Sequence, residues 1–183
     1  MDTWMWAVIA LAAAAFVALV ALFVIRRRRT RRLKKTFGTE YDRTLDLRGG
    51  RRDAERDLVE RRSRREEIVL RTLPATTAAR YAAQWHDAQT RFVDAPADAV
   101  RDAHALLDTL LRDVGYPVDD FDRFDEQAGV VSVDHPDLTA RYRSAHRVAT
   151  ANAAGQASTE DLRRAMVDYR ALFEELLGHR VEA

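Results

Sequence analysis

The sequence predicts an all-α chain with an N-terminal transmembrane helix, a charged helical stalk and an antiparallel helical bundle. Three observations carry that reading. Trp4 to Ile25 is a run of 22 residues without a charged, amide or hydroxyl side chain. Apolar residues beyond Leu73 recur at helical spacing, not with the alternation of a half-buried strand. Pro, Gly, Ser, Thr and Asp fall where helices start and stop, so the connections are short and favour antiparallel neighbours. The chain divides into a transmembrane anchor (1–25), a basic juxtamembrane collar (26–35), a charged stalk (36–72), a bundle domain (73–178) and a C-terminal tail (179–183).

A helix over Trp4–Ile25 is about 33 Å long, enough to cross a hydrocarbon core of about 30 Å with modest tilt. Trp4 and Trp6 fall at an interfacial belt, and the collar opens with Arg26, Arg27, Arg28 and Arg29. Eight basic residues occupy the ten collar positions, whereas only Met1, Asp2 and Thr3 precede the span. Basic residues flanking a span stay cytoplasmic, which places the N-terminus outside and residues 26–183 inside the cell membrane. A cleaved signal would show the reverse order, with charge before the apolar run and small residues after it.

The formal net charge of +1 hides a split. Residues 1–72 carry 18 Lys/Arg against 10 Asp/Glu, and residues 73–183 carry 12 against 19. The chain has no cysteine, which excludes disulfides, thiolate metal sites and thiol nucleophiles. Its 28 Arg against 2 Lys reflect coding bias as much as function.

In the stalk, Thr39 with Asp42 resembles an N-cap arrangement, and Gly49-Gly50 marks a turn. Arg51 to Leu70 is helical in pattern but polar nearly all round, with opposite charges at Arg51/Glu55, Asp57/Arg61, Glu60/Arg64 and Arg62/Glu66. Such a helix bridges solvent or forms the outermost member of a bundle. Leu73-Pro74 then opens the bundle. Thr76 or Thr77 caps a helix with Tyr81, Trp85, Ala88 and Phe92 on one face. Asp94 caps the next, which carries Val100, Ala103, Leu107, Leu110, Leu111 and Val114 inward and stops at Gly115. Asp119 to Glu126 reads as a short helix and Gly129 to Val133 as an extended connection. Pro136 opens a helix with Leu138, Tyr142, Ala145 and Ala149 on one side. Ser158 with Asp161 forms a capping box for the last, whose stripe runs from Leu162 to Leu177 before Gly178.

Several segments have a familiar order: Phe37-Gly38-Thr39-Glu40-Tyr41-Asp42-Arg43, Arg91-Phe92-Val93-Asp94, Gly115-Tyr116-Pro117-Val118-Asp119-Asp120-Phe121, Ser132-Val133-Asp134-His135-Pro136, Tyr142-Arg143-Ser144-Ala145-His146 and Thr159-Glu160-Asp161-Leu162. Over roughly residues 37–178 the chain resembles a group of single-pass membrane proteins, sometimes labelled secreted, of high-GC Gram-positive bacteria. The resemblance implies no activity and assigns no functional residue.

Chemistry is sparse. His86, His104, His135, His146 and His179 include no pair at helical ligand spacing, so no metal is expected, and no cofactor either. Asp134 and His135, with Tyr142, Arg143 and His146, combine an acid, a base and a cation at a helix start, where anions are favoured. The alternative is that these residues cap and pack. Trp85, with Tyr81 and Phe92, either stacks a planar ligand or belongs to the core. No acyl-transfer elbow or phosphate loop is present.

The expected function is a non-enzymatic, membrane-anchored interaction module whose partners are the bilayer and a protein. The alternatives are a small-molecule-binding or hydrolytic domain centred on Asp134, His135 and His146, and nucleic-acid binding at the membrane through the Arg-rich stalk. Nucleic acid is not an expected partner, because six acids interrupt the basic residues between Arg51 and Glu67.

Overall fold

The apolar stripes predict the interior directly. The computed structural model describes residues 3–118 and 124–180, without the side chains of residues 3, 5–10, 179 and 180. The described residues are all-helical: α1 (Thr3–Phe37), α2 (Thr39–Arg48), α3 (Arg51–Glu67), α4 (Ala75–Arg91), α5 (Pro96–Asp113), α6 (Phe124–Asp134), α7 (Pro136–Ala153) and α8 (Thr159–Arg180). Helix α8 packs against both α5 and α7, α4 lies against α5, and α6 against α7. The six inward residues of α5 are all fully buried. They meet Leu162, Ala165, Met166, Tyr169, Leu172, Phe173 and Leu176 of α8 in one core with Tyr81, Trp85 and Ala88 of α4.

The helix ends follow the signals unevenly. Ser158 and Asp161 form the expected box: Ser158 Oγ donates to Asp161 Oδ2 (2.6 Å) and accepts from the Asp161 N–H (3.2 Å). Pro96 and Pro136 occupy first turns. The N-cap positions of α2, α4 and α5 are instead Gly38, Pro74 and Ala95, and none makes a side-chain cap bond. Helix α8 runs through Gly178. At Gly115 the expected turn is enforced twice: φ is +103°, and a Cβ would lie 2.7 Å from the Val69 carbonyl oxygen.

Two expectations need correction. Gly129 to Val133 is not an extended connection but part of α6, in which Gln127 to Ser132 are all buried. Tertiary packing overrides the β-branched composition there. Gly129 also makes room for Arg61, whose Cδ would stand 3.2 Å from an added Cβ. Residues 119–123 of the expected short helix, Phe121 included, lie outside the described residues.

The second correction concerns the charged segment. Its pattern reads either as a solvent-bridging stalk or as the outermost member of a bundle, and the structure has the latter: α3 packs on α6 and α2 on α7. A small second core seals this joint. Leu33 and Phe37 of α1, Tyr41 of α2 and Leu58 of α3 are buried together, with Leu45 and Val133 against them. Helix α1 therefore ends inside the folded body. Among the described residues no helix is long and apolar enough to cross a membrane. The side chains of residues 5–10, Trp6 included, lie outside that description, and Leu11 to Ile25 is an apolar run of 15 residues, short of the roughly 20 a span requires.

Candidate functional site

Helical geometry separates the residues that the sequence groups near α7. Tyr142 and His146 are four apart and share a face; Arg143 lies about 100° further round. Asp134 closes α6 and accepts from Arg65 Nε and from the Tyr116 hydroxyl (2.6 Å), tying the ends of α3 and α6 to the turn after α5. The His135 carbonyl accepts from the Thr139 hydroxyl (2.8 Å), and its ring Nδ1 lies 3.4 Å from Glu175 Oε1 on α8. The contacts described for Asp134 and His135 go to Arg65, Tyr116, Thr139 and Glu175, whereas those of His146 go to Phe124 and His104.

His146 and Tyr142 belong to an aromatic and histidine cluster inside the bundle. The His146 ring stacks on Phe124 (centroids 3.5 Å, 3° between planes) and meets His104 edge-on at 5.2 Å. Burial, and then His104, push the His146 pKa down to about 4, so the ring is neutral near pH 7. Its buried Nδ1 has no hydrogen-bond partner among the described residues. The Tyr142 hydroxyl accepts from Gln127 Nε2 (3.0 Å) and donates to Asp108 Oδ1 (3.3 Å). Burial, helped by Asp108, raises its pKa well above the usual phenol value. Trp85 stacks on Phe173 at 4.7 Å and is only 5% exposed, which leaves no open face for a planar ligand.

Arg143 reveals what the sequence grouping misses. Its guanidinium reaches Glu40 of α2 (Nη2 to Oε1, 2.9 Å) and Asp125 of α6. Glu40 is 2% exposed, and the same Oε1 accepts from Arg61 Nη1 (3.0 Å) and Arg43 Nη1 (3.4 Å). Arg61 also forms a two-pronged pair with Asp57 of its own helix, at 2.9 and 3.0 Å. Burial pushes the Asp57 carboxyl up, but bonds from Arg61 and Arg48 outweigh it and hold the group below its ordinary value. Burial lowers the Arg143 pKa, and Glu40 opposes that shift. The cluster borders a cavity of about 380 Å³ rimmed by Arg48, Glu60, Arg64 and Glu126. Its charges answer one another, which suits a joint between helices better than a ligand site. Asp57/Arg61 and Glu40/Arg43 lie at helical spacing, but Glu40 and Arg143 are 103 positions apart.

At the other end of the molecule, Arg26, Arg27, Arg28 and Arg29 are exposed on α1, and Trp4 is 63% exposed. Among the described residues no group of three His, Asp or Glu side chains gathers as a metal site. Comparison with models of protein families, with curated proteins and with solved structures finds no match.

Proposed function

We propose that this chain is a single-pass, membrane-anchored, non-enzymatic interaction module, with the start of α1 outside the cell membrane and the helical body in the cytoplasm. One observation carries the reading. Helix α1 is unbroken from Thr3 to Phe37; Phe16, Leu19, Phe23 and Ile25 stand 62–67% exposed, while Leu33 and Phe37 at its far end are buried in the body. Apolar surface of that length is costly in water and free of cost in hydrocarbon. The arginine collar sets the orientation. The resemblance to single-pass proteins of high-GC Gram-positive bacteria agrees with it.

The non-enzymatic part rests on the candidate side chains, each of which is engaged in joining helices. The rigid insertion of α1 fixes the body relative to the bilayer, an arrangement suited to presenting one face to a protein partner. The test is topology. A reporter fused after Ala183 is expected to be active only in its cytoplasmic form, and protease outside intact cells is expected to spare the body. External digestion, or release of the chain by alkaline carbonate, overturns the reading.

A further inference from the structure

The basic collar does not stand alone. Two grooves flank the place where α3 meets α1. One, of about 850 Å³, takes Phe23, Arg26, Arg27 and Arg31 from α1 and Arg51, Arg52 and Arg56 from α3. The other, of about 530 Å³, takes Ile25, Arg28 and Arg32 from α1 and Val59, Arg62 and Glu66 from α3. Both draw on the same level of α1, residues 23–33, but on opposite ends of α3. Helix α3 therefore crosses α1 instead of running along it, and its arginines lie level with the collar.

The larger groove is strongly cationic. Its one lining acid, Glu55, faces seven lining arginines; its Oε1 accepts from the hydroxyl of Thr30, which also lines the groove, at 2.6 Å and from the Tyr41 hydroxyl at 3.3 Å, and the expected Arg51/Glu55 pair does not form. Arg26, Arg27, Arg31, Arg51 and Arg52 make no ion pair among the described residues, and Arg56 reaches only Asp53, at 3.3 Å. Elsewhere on the same helix Arg61, Arg62, Arg64 and Arg65 are all paired. Unpaired like charges gathered around a groove favour an anion from outside. Phe23, 63% exposed at the end of the apolar run, adds a greasy edge to the cationic wall. A ligand with a phosphate beside an acyl chain matches both.

We propose that this groove binds the headgroup phosphate of an anionic phospholipid, with Arg26, Arg27 and Arg31 of α1 and Arg51, Arg52 and Arg56 of α3 as its walls. The site rests on the anchored reading above and deepens it: α3 lies under the headgroups and the body is held against the leaflet.

The test uses the full chain in nanodiscs of phosphatidylcholine with or without phosphatidylglycerol, reading lipid retention by native mass spectrometry. The groove variant, Arg51→Gln with Arg52→Gln and Arg56→Gln, leaves the collar intact, so insertion is preserved and carbonate extraction verifies it separately. The native chain is expected to retain phosphatidylglycerol selectively, and the groove variant to lose that preference on the order of a hundredfold at about 0.1 M salt, at about fivefold per arginine. The same charge change on α8, Arg163→Gln with Arg164→Gln and Arg170→Gln, is expected to leave it within about twofold, because charges more than a Debye length of about 10 Å from the headgroups are screened. Circular dichroism checks folding, and the single change Arg52→Gln at an exposed, unpaired side chain gives a second reading, a loss of about fivefold. Equal retention in native and groove-variant chains, or equal loss from both triple variants, overturns the site while leaving the anchor standing. So does displacement of the lipid by inorganic phosphate, or by a short DNA duplex, at matched phosphate concentration. Failure to insert overturns both.

Discussion

The bundle of α4, α5, α7 and α8 and the joint that docks α2 and α3 on α6 and α7 are both buried, but by opposite chemistry. In the bundle, aliphatic and aromatic stripes meet face to face, and each buried residue gains whatever apolar neighbour it finds. In the joint, a small apolar core of Leu33, Phe37, Tyr41 and Leu58 sits beside Glu40, Arg61 and Arg143. A buried charge is stable only with its named partners at hydrogen-bond distance. The bundle therefore tolerates change in identity if volume is kept; the joint requires both the volume of its apolar core and the balance of its charges.

That contrast can be broken at three places, from the largest effect down. In the bundle, Trp85→Ala removes a ring stacked on Phe173 and is expected to cost about 3–5 kcal/mol in chemical denaturation. A stable Trp85→Ala protein would return that residue to the list of ligand platforms. In the joint, Arg143→Met leaves Glu40 with Arg61 and Arg43 alone and is expected to cost about 3 kcal/mol. Adding Glu40→Gln to Arg143→Met is expected to recover part of that loss, which a double-mutant cycle measures directly. Additive losses would mean that the charges merely coexist.

The smallest effect is set by pH. His146 has a folded pKa of about 4, below its ordinary 6.5, because burial and His104 disfavour the charged ring. The unfolded chain thus takes up a proton between those values while the folded chain does not. The stabilisation is complete above pH 6.5 and is lost as pH falls toward 4, at a cost on the order of 1–2 kcal/mol after allowing for solvent screening. His146→Gln is expected to flatten that part of a melting-temperature profile. An unchanged slope would place the acid sensitivity at the carboxylates of the joint.

How much was legible follows from the range of each signal. Helix periodicity, proline at first turns and the Ser158/Asp161 box act over three or four residues, and the inward faces of α5 and α8 were readable on that basis alone. Three of the four charge pairs expected on α3 form for the same reason: Asp57/Arg61, Glu60/Arg64 and Arg62/Glu66 sit one turn apart. The fourth fails because Glu55 turns to Thr30, 25 positions away, and Tyr41, 14 away. The candidate residues Asp134, His135, Tyr142, Arg143 and His146 were grouped by adjacency in sequence, whereas helix faces send Tyr142 and His146 into the bundle and Arg143 to Glu40.

The amino-acid sequence by itself determined an all-helical chain, the apolar face of each bundle helix and the uneven distribution of charge between its halves. Only the tertiary structure decided where the charged helices go, that Gly129 to Val133 is helical, and that α3 crosses α1 at the level of the collar. Apolar burial is non-directional, so a stripe specifies that a face is inside without naming its neighbour. A buried ion pair names its neighbour but carries no trace of it in local spacing, and Glu40 found Arg143 only once α2 had been laid against α7.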